Sequence, residues 1–138
     1  MSTERKVAIV TGASQGIGAG IVEAFRHRNY RVVATSRSIR RTADPDVLTV
    51  PGDVGAPETA EKVFSTAFER FGPVDILVNN AGVFMAKPFT AYSRDDYGAY
   101  ISTNVTGFFH MTQRALELMS KQGRGHIVTI TPVLSTSR

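Results

Sequence analysis

The sequence contains no cysteine, and this absence excludes two kinds of chemistry. Without thiols, the 138-residue chain forms neither disulfide bonds nor thiolate metal sites. Its three histidines, His27, His110 and His126, lack the spacing of metal ligands, so we predict no metal site. No apolar run approaches the length of a membrane span, and the first residues lack the core of a signal peptide. We therefore expect a cytoplasmic protein with no membrane partner.

A strong excess of charge of one sign is also lacking. The net charge is +4, and basic residues alternate with acidic ones along the predicted helices, except in the cluster Arg37, Arg40 and Arg41. This pattern favours a solvated surface over a nucleic-acid partner. The length and the hydrophobic content of 42% fit one domain over residues 1–138.

Five short apolar segments predict the strands of a sheet. Their centres are apolar at nearly every position, which is typical of a parallel sheet that is covered on both faces. The predicted strands are residues 7–11, 31–36, 48–52, 75–79 and 126–130. With a helix predicted between each pair, the β-α-β order indicates an α/β fold with an open, doubly wound sheet.

Two of the predicted helices have clear sequence signals. The first begins at Pro57, and Ser93 with Asp96 forms a capping box before the second. Behind that box, an apolar stripe runs over residues 97–119 and predicts one long helix. We interpret Phe108, Phe109 and Met111 in this stripe as core residues.

The most informative segment is TGASQGIG (residues 11–18), which directly follows the first apolar segment. Gly12 permits a turn with positive φ. Gly16 would let a pyrophosphate approach the backbone, and Gly18 would let the following helix pack closely. The N-terminus of that helix offers free N–H groups and partial positive charge to a phosphate. Alone, the segment is also compatible with a purely structural strand-to-helix turn.

Further motifs follow in a fixed order. NNAG (residues 79–82) ends the fourth apolar segment, Asp53 and Val54 follow the third, and Asn104 lies in the long helical stretch. In this order the motifs resemble the short-chain dehydrogenase/reductase family. The resemblance implies a three-layer Rossmann-like sheet of strand order 3-2-1-4-5 and an oxidoreductase that acts on a carbonyl or alcohol. It also implies an NAD(P) cofactor and the homo-oligomers usual in that family.

The resemblance carries over to particular residues. It implies that the backbone carbonyl of Asn104 holds a water in a catalytic proton relay, although an Asn bonded quietly in the core remains an alternative. The implied cofactor-binding residues are Gly12, Ser14, Gln15, Gly16, Ile17, Gly18, Ser36, Arg37, Asp53, Val54, Asn80, Ala81, Gly82 and Thr131.

The choice of cofactor follows from charge at the end of the second strand. Relatives that prefer NAD place an acid there, whereas this chain has Ser36 followed by Arg37. A guanidinium can pair with the 2′-phosphate of NADP(H), and Arg40 and Arg41 add to the local field. We therefore predict NADP(H) over NAD(H), with a merely solvated Arg37 as the alternative. Against this prediction, the chain has Gln15 at a position where many NADP-binding relatives carry a basic residue.

The end of the sequence departs from the family pattern. Pro132 stands where the family has its catalytic Ser, neither Thr131 nor Ser135 aligns with it, and no tyrosine precedes a lysine by four positions. We interpret Lys87 as a solvated loop residue. The sequence therefore predicts the cofactor-binding half of a reductase, cut after the fifth strand and lacking the catalytic pair and substrate loop. The alternatives are a non-catalytic NADP(H)-binding module and a truncated or frameshifted gene remnant.

Overall fold

Residues 5–131 are described by a computed structural model, in which helices cover both faces of one sheet. The elements in chain order are β1 (Val7–Thr11), α1 (Gly16–His27), β2 (Arg31–Ser36), β3 (Val47–Pro51), α2 (Pro57–Phe71), β4 (Ile76–Asn79), a 3-10 helix (Phe89–Ala91), α3 (Arg94–Tyr100), a π-helical segment (Ile101–Gly107), α4 (Phe108–Gln122) and β5 (His126–Thr129). No helix among these residues is long and apolar enough to cross a membrane.

The sheet confirms the predicted fold class. All neighbouring strands are parallel, in the order β3-β2-β1-β4-β5. The fourth and fifth predicted strands differ from the observed ones by one residue at one end, and the third is shifted by one residue at both ends. The strand order reverses between β1 and β4, so a crevice opens there at the carboxyl ends of the strands.

The core lies in two layers because successive residues of a strand point to opposite faces. On one face, Ile9 packs with Phe64 of α2 and Met111 of α4. On the other face, Val10 and Val32 pack against the apolar side of α1. Phe64 is only 1% exposed, and burial of a side chain of this size stabilises the folded state by roughly 1.5–3 kcal/mol.

The connection between β2 and β3 corrects the prediction of a helix between every pair of strands. Residues 37–46 contain no helix and are fastened by ion pairs instead. Arg5 bonds both carboxylate oxygens of Asp46 at 2.8 and 2.9 Å, and Arg26 bonds Asp44 at 2.7 Å. Hydrogen bonds from Arg5 lower the pKa of Asp46, and those from Arg26 lower the pKa of Asp44. These pairs lie beside the first residues of the strands, away from the crevice.

The long helix predicted over residues 97–119 is also corrected. It is divided into α3, the π-helical segment and α4, and most of its apolar stripe is exposed. The prediction that Phe108 and Phe109 are core residues is wrong, since they are 41% and 54% exposed. Helix α4 instead buries Met111, Ala115 and Met119, which recur every four residues and therefore share one face.

Candidate functional site

A cleft lies at the carboxyl edge of the sheet, where the strand order reverses. It consists of two adjoining cavities of about 400 and 460 Å³, which we call the β2-side and the β5-side cavity. Both are lined by Ile17, Val54, Thr103 and residues 80–83. The β2-side cavity extends to Ser36 at the end of β2, and the β5-side cavity extends to Thr129 at the end of β5. One elongated ligand could therefore occupy both.

The glycine-rich turn forms one wall of the β2-side cavity. Gly12 and Gly16 have φ of +62° and +57°, which only glycine adopts readily. Helix α1 begins at Gly16, and its N-cap Gln15 makes no side-chain capping bond among the described residues. A Cβ on Gly18 would lie 2.0 Å from the carbonyl oxygen of Gly12. Gly18 therefore permits tight packing of the helix on the turn and lines neither cavity, unlike the other predicted glycines.

Thr11 locks the glycine-rich turn to the NNAG turn. Its Oγ1 accepts hydrogen bonds from the backbone N–H groups of Asn80 (3.0 Å) and Ala81 (2.8 Å). The Asn80 side chain donates to the carbonyl of Gly12 at 3.2 Å. The sequence reasoning missed this role of Thr11. A threonine that ends a strand just before the first glycine is the signal that could have found it.

Ser36 and Arg37 lie side by side in the wall of the β2-side cavity. The Ser36 Oγ is buried and has no hydrogen-bond partner among the described residues, an arrangement that costs free energy. The Arg37 side chain is exposed. Arg40 and Arg41, predicted to add to the field here, line neither cavity.

Asp53 and Val54 also line the β2-side cavity. The Asp53 carboxylate accepts a hydrogen bond from the Gly55 N–H at 2.9 Å, which shapes the loop. Val54 is 6% exposed and touches the helical layer where Gly107 lies. A Cβ on Gly107 would come within 2.5 Å of the Val54 side chain, so the close approach requires glycine there.

Asn104 lies in the π-helical segment and lines the β5-side cavity. Its Oδ1 accepts from the Val83 N–H at 2.8 Å, and its Nδ2 donates to the Val83 carbonyl at 3.1 Å. The amide is therefore satisfied by a loop and is not buried in the core. Single π-helical turns inside α-helices occur frequently at functional sites. Thr131 lines the same cavity, whereas Pro132 and Ser135 lie outside the described residues.

The structure brings together nearly all of the predicted site residues. All of the predicted cofactor residues except Gly18 and Thr131 line the β2-side cavity. Sequence reasoning missed Val83, Phe84 and Thr103, which also line the cleft. Among the described residues, no group of three or more His, Cys, Asp or Glu side chains could hold a metal ion.

Lys87 is an exposed loop residue, as predicted. It also forms an ion pair with Asp96, and its Nζ lies 5.5 Å from the centre of the Tyr92 ring. Lys87 lines neither cavity. Asp96 in turn completes the predicted capping box with Ser93, which the structure confirms.

The cleft fits a dinucleotide. A side chain on Gly16 would meet no protein atom within 4 Å, so the space beside the α1 N-terminus is open to a phosphate. Ser36 and the exposed Arg37 line one end. Apolar residues such as Phe108 and Met111 line the other end. A glycine-rich turn that opens a helix at the reversal point of a parallel sheet defines a Rossmann-type dinucleotide-binding fold.

Comparison with known proteins identifies the family. The family model for short chain dehydrogenase matches residues 6–138, and the chain belongs to that family of oxidoreductases with an NAD(P)-binding fold. The 3-oxoacyl-[acyl-carrier-protein] reductase FabG of Vibrio cholerae is 35% identical over 99% of this chain, which spans 58% of that reductase.

Two solved structures are similar in fold. A short chain dehydrogenase from Bacillus anthracis superimposes with a TM-score of 0.84 at 29% identity, over 93% of this chain and 57% of that one. A variant of ElxO with NADPH bound has a TM-score of 0.84 at 28% identity, over 92% of this chain and 55% of that one. The chain thus spans little more than half the length of these relatives.

Proposed function

We propose that the cleft binds NADP(H) in preference to NAD(H). The observation that carries this proposal is the exposed Arg37 beside Ser36 in the wall of the β2-side cavity, with no acid at that position. Ser36 and Arg37 hold the 2′-phosphate, while the 12–17 turn and the α1 N-terminus hold the pyrophosphate. Asp53 and Val54 contact the adenine, and residues 80–82 and Thr131 hold the nicotinamide half. The NADPH bound to the similar ElxO variant supports this choice.

We further propose that the chain is the cofactor-binding half of a carbonyl or alcohol oxidoreductase. Bound NADP(H) supplies or accepts a hydride in such a reaction. The apolar side chains of Ile17, Phe108 and Met111 line the β5-side cavity. The side-chain Oδ1 and Nδ2 of Asn104 both bond Val83. The group of Asn104 that contacts a relay water is therefore its backbone carbonyl. The greater length of the relatives supports this division of the protein.

A non-catalytic NADP(H)-binding module is the second candidate. It is favoured by the absence of any Tyr-x-x-x-Lys sequence from the 138 residues. The contact between Lys87 and Tyr92 does not replace that pair. Lys87 is held by Asp96, neither Lys87 nor Tyr92 lines the cleft, and the neighbouring Tyr100 raises the pKa of Tyr92. A general acid works best with a pKa near the operating pH, so Tyr92 is poorly suited to that role.

Both candidates predict that the 138-residue chain is inactive by itself. We expect the 138-residue chain alone to oxidise NADPH no faster than buffer in the presence of ketones, aldehydes or quinones. A positioned general acid contributes about 10²–10⁴-fold in rate, and the chain lacks the pair that supplies it. The measurement is loss of NADPH absorbance with monodisperse protein. Robust turnover that Asn104→Ala removes would contradict the expectation and identify the chain as an enzyme by itself.

Ser36→Ala tests the proposed phosphate site directly. The substitution removes an unsatisfied hydroxyl, so we expect the ligand-free protein to keep its stability or gain some. Binding of adenosine 2′,5′-bisphosphate should weaken by roughly three- to tenfold, because a phosphate hydrogen bond is lost. The measurements are thermal unfolding and calorimetry, with Ser65→Ala on the exposed face of α2 as control. Unchanged affinity in Ser36→Ala would show that Ser36 does not contact the phosphate.

A further inference from the structure

We propose that Tyr100, supported by Tyr92, is a positioning residue that holds a loop in the wall of the β5-side cavity. The loop consists of Val83, Phe84 and Met85 and is called the 83–85 loop below. Tyr100 itself does not line the cleft. The inference rests on the proposed function in one respect, namely that the nicotinamide half of the cofactor occupies the β5-side cavity.

Side chains from outside the loop engage the backbone on either side of Phe84. Asn104 bonds both the N–H and the carbonyl of Val83. At Met85, the N–H donates to the Tyr100 hydroxyl at 2.7 Å, and the carbonyl accepts from the Tyr92 hydroxyl at 2.7 Å. The loop belongs to no helix or strand, so these four hydrogen bonds replace the backbone pairing that a helix or a sheet would provide.

The hydrogen bonds to Val83 and Met85 affect the cleft because they restrain Phe84, which lies between them. This side chain is 53% exposed and lines the β5-side cavity together with Val83. An exposed aromatic side chain on an unrestrained loop would sample many positions, and ordering it at the moment of binding costs conformational entropy. Fixing the residues before and after Phe84 removes part of that cost in advance.

The two tyrosines are themselves held in place. Their rings lie 5.7 Å apart, and Lys87 lies over the Tyr92 ring. The ion pair between Lys87 and Asp96 ties the chain two residues after the loop to the first turn of α3. The Tyr92 hydroxyl is protonated at neutral pH and donates to the Met85 carbonyl, and the neighbouring Tyr100 raises its pKa further.

Tyr100 also acts next to Asn104 along the helix. Tyr100 is the last residue of α3, and Asn104 follows four positions later in the middle of the π-helical segment. Tyr100 and Asn104 therefore hold the 83–85 loop at two adjacent points. Loss of one hydroxyl should loosen the Met85 side of the loop and leave the Val83 side bonded.

Tyr100→Phe is the test, with Tyr97→Phe as the matched control. Tyr97 lies on α3, is 67% exposed and makes no hydroxyl hydrogen bond among the described residues. In Tyr100→Phe we expect the Met85 amide to exchange with solvent roughly three- to tenfold faster, with Ile9 in the core unchanged. NADPH should bind more weakly by a similar factor. Adenosine 2′,5′-bisphosphate, which lacks the nicotinamide half, should bind equally well.

Each outcome decides a separate question. Unchanged Met85 exchange in Tyr100→Phe would overturn the inference, and so would faster exchange of every amide, which indicates general destabilisation. Faster Met85 exchange with unchanged NADPH affinity would overturn the link to the cleft. Failure of the unmodified chain to bind NADPH would refute the proposed function instead, and amide exchange would still test the role of Tyr100.

Discussion

Gly16→Val is expected to abolish NADPH binding while the chain remains folded. Gly16 has φ of +57°, a region that is strongly unfavourable for a β-branched residue. Valine would therefore shift the backbone of the turn and move the N–H groups at the start of α1. Its side chain would also project into open space beside the cavity, because no protein atom lies within 4 Å of an added Cβ. Both effects act on the place proposed for the pyrophosphate.

Calorimetry with NADPH measures this effect, and Gly20→Val is the matched control. A Cβ at Gly20 also meets no atom within 4 Å, but Gly20 lies within α1, has no positive φ and does not line the cleft. We expect Gly20→Val to bind NADPH as the unmodified chain does. A folded Gly16→Val protein with unchanged NADPH affinity would show that the glycine-rich turn does not hold the pyrophosphate.

Arg37→Asp is expected to reverse the preference between the two cofactors. A charge-assisted contact contributes roughly 1.5–3 kcal/mol, so losing the guanidinium should weaken NADPH binding about tenfold or more. The carboxylate also repels the 2′-phosphate and accepts hydrogen bonds from the ribose hydroxyls of NADH. NADPH should therefore bind more weakly than NADH to this variant, as measured by fluorescence titration.

Arg40→Asp separates this contact from a general effect of charge. It makes the same change in net charge three residues away, at an exposed arginine that lines neither cavity. We expect it to leave the order of the two affinities unchanged. If Arg40→Asp reverses the preference as fully as Arg37→Asp does, the field of the whole cluster, and not a contact of Arg37, selects the cofactor.

The strands and caps could be predicted because their causes are local. Apolar segments such as residues 7–10 have no polar position to face water, which indicates a strand buried on both faces. Ser93 and Asp96 satisfy each other within one turn of helix, so four residues suffice to predict the cap. The strand order came from the resemblance to the family and not from the segments themselves.

The errors concern features that depend on tertiary packing. Phe108 and Phe109 are apolar, but Met111, Ala115 and Met119 form the face of α4 that meets the sheet. The π-helical segment also shifts the angular position of every residue after it, so a regular helical period gives the wrong face. Likewise, residues 37–46 need no helix because Arg5 and Arg26 fasten them from elsewhere in the chain.

The candidate site was predictable wherever a motif marks it. The glycine-rich turn, Ser36, Asp53 and the NNAG turn come together as their motifs imply. The contacts that join the motifs were not predictable, because they depend on distances between residues far apart in sequence. Thr11 bonds residues 80 and 81, and Asn104 bonds Val83, through a hydroxyl and an amide that give no periodic signal.

The most direct test of the central claim is a parallel calorimetric titration of the unmodified chain with NADPH and NADH. If Ser36 and Arg37 recognise the 2′-phosphate, NADPH should bind with about tenfold or greater affinity than NADH, at one site per chain. Equal affinities for the two cofactors would contradict the proposed recognition by Ser36 and Arg37, and no binding of either by the folded chain would contradict the dinucleotide site itself.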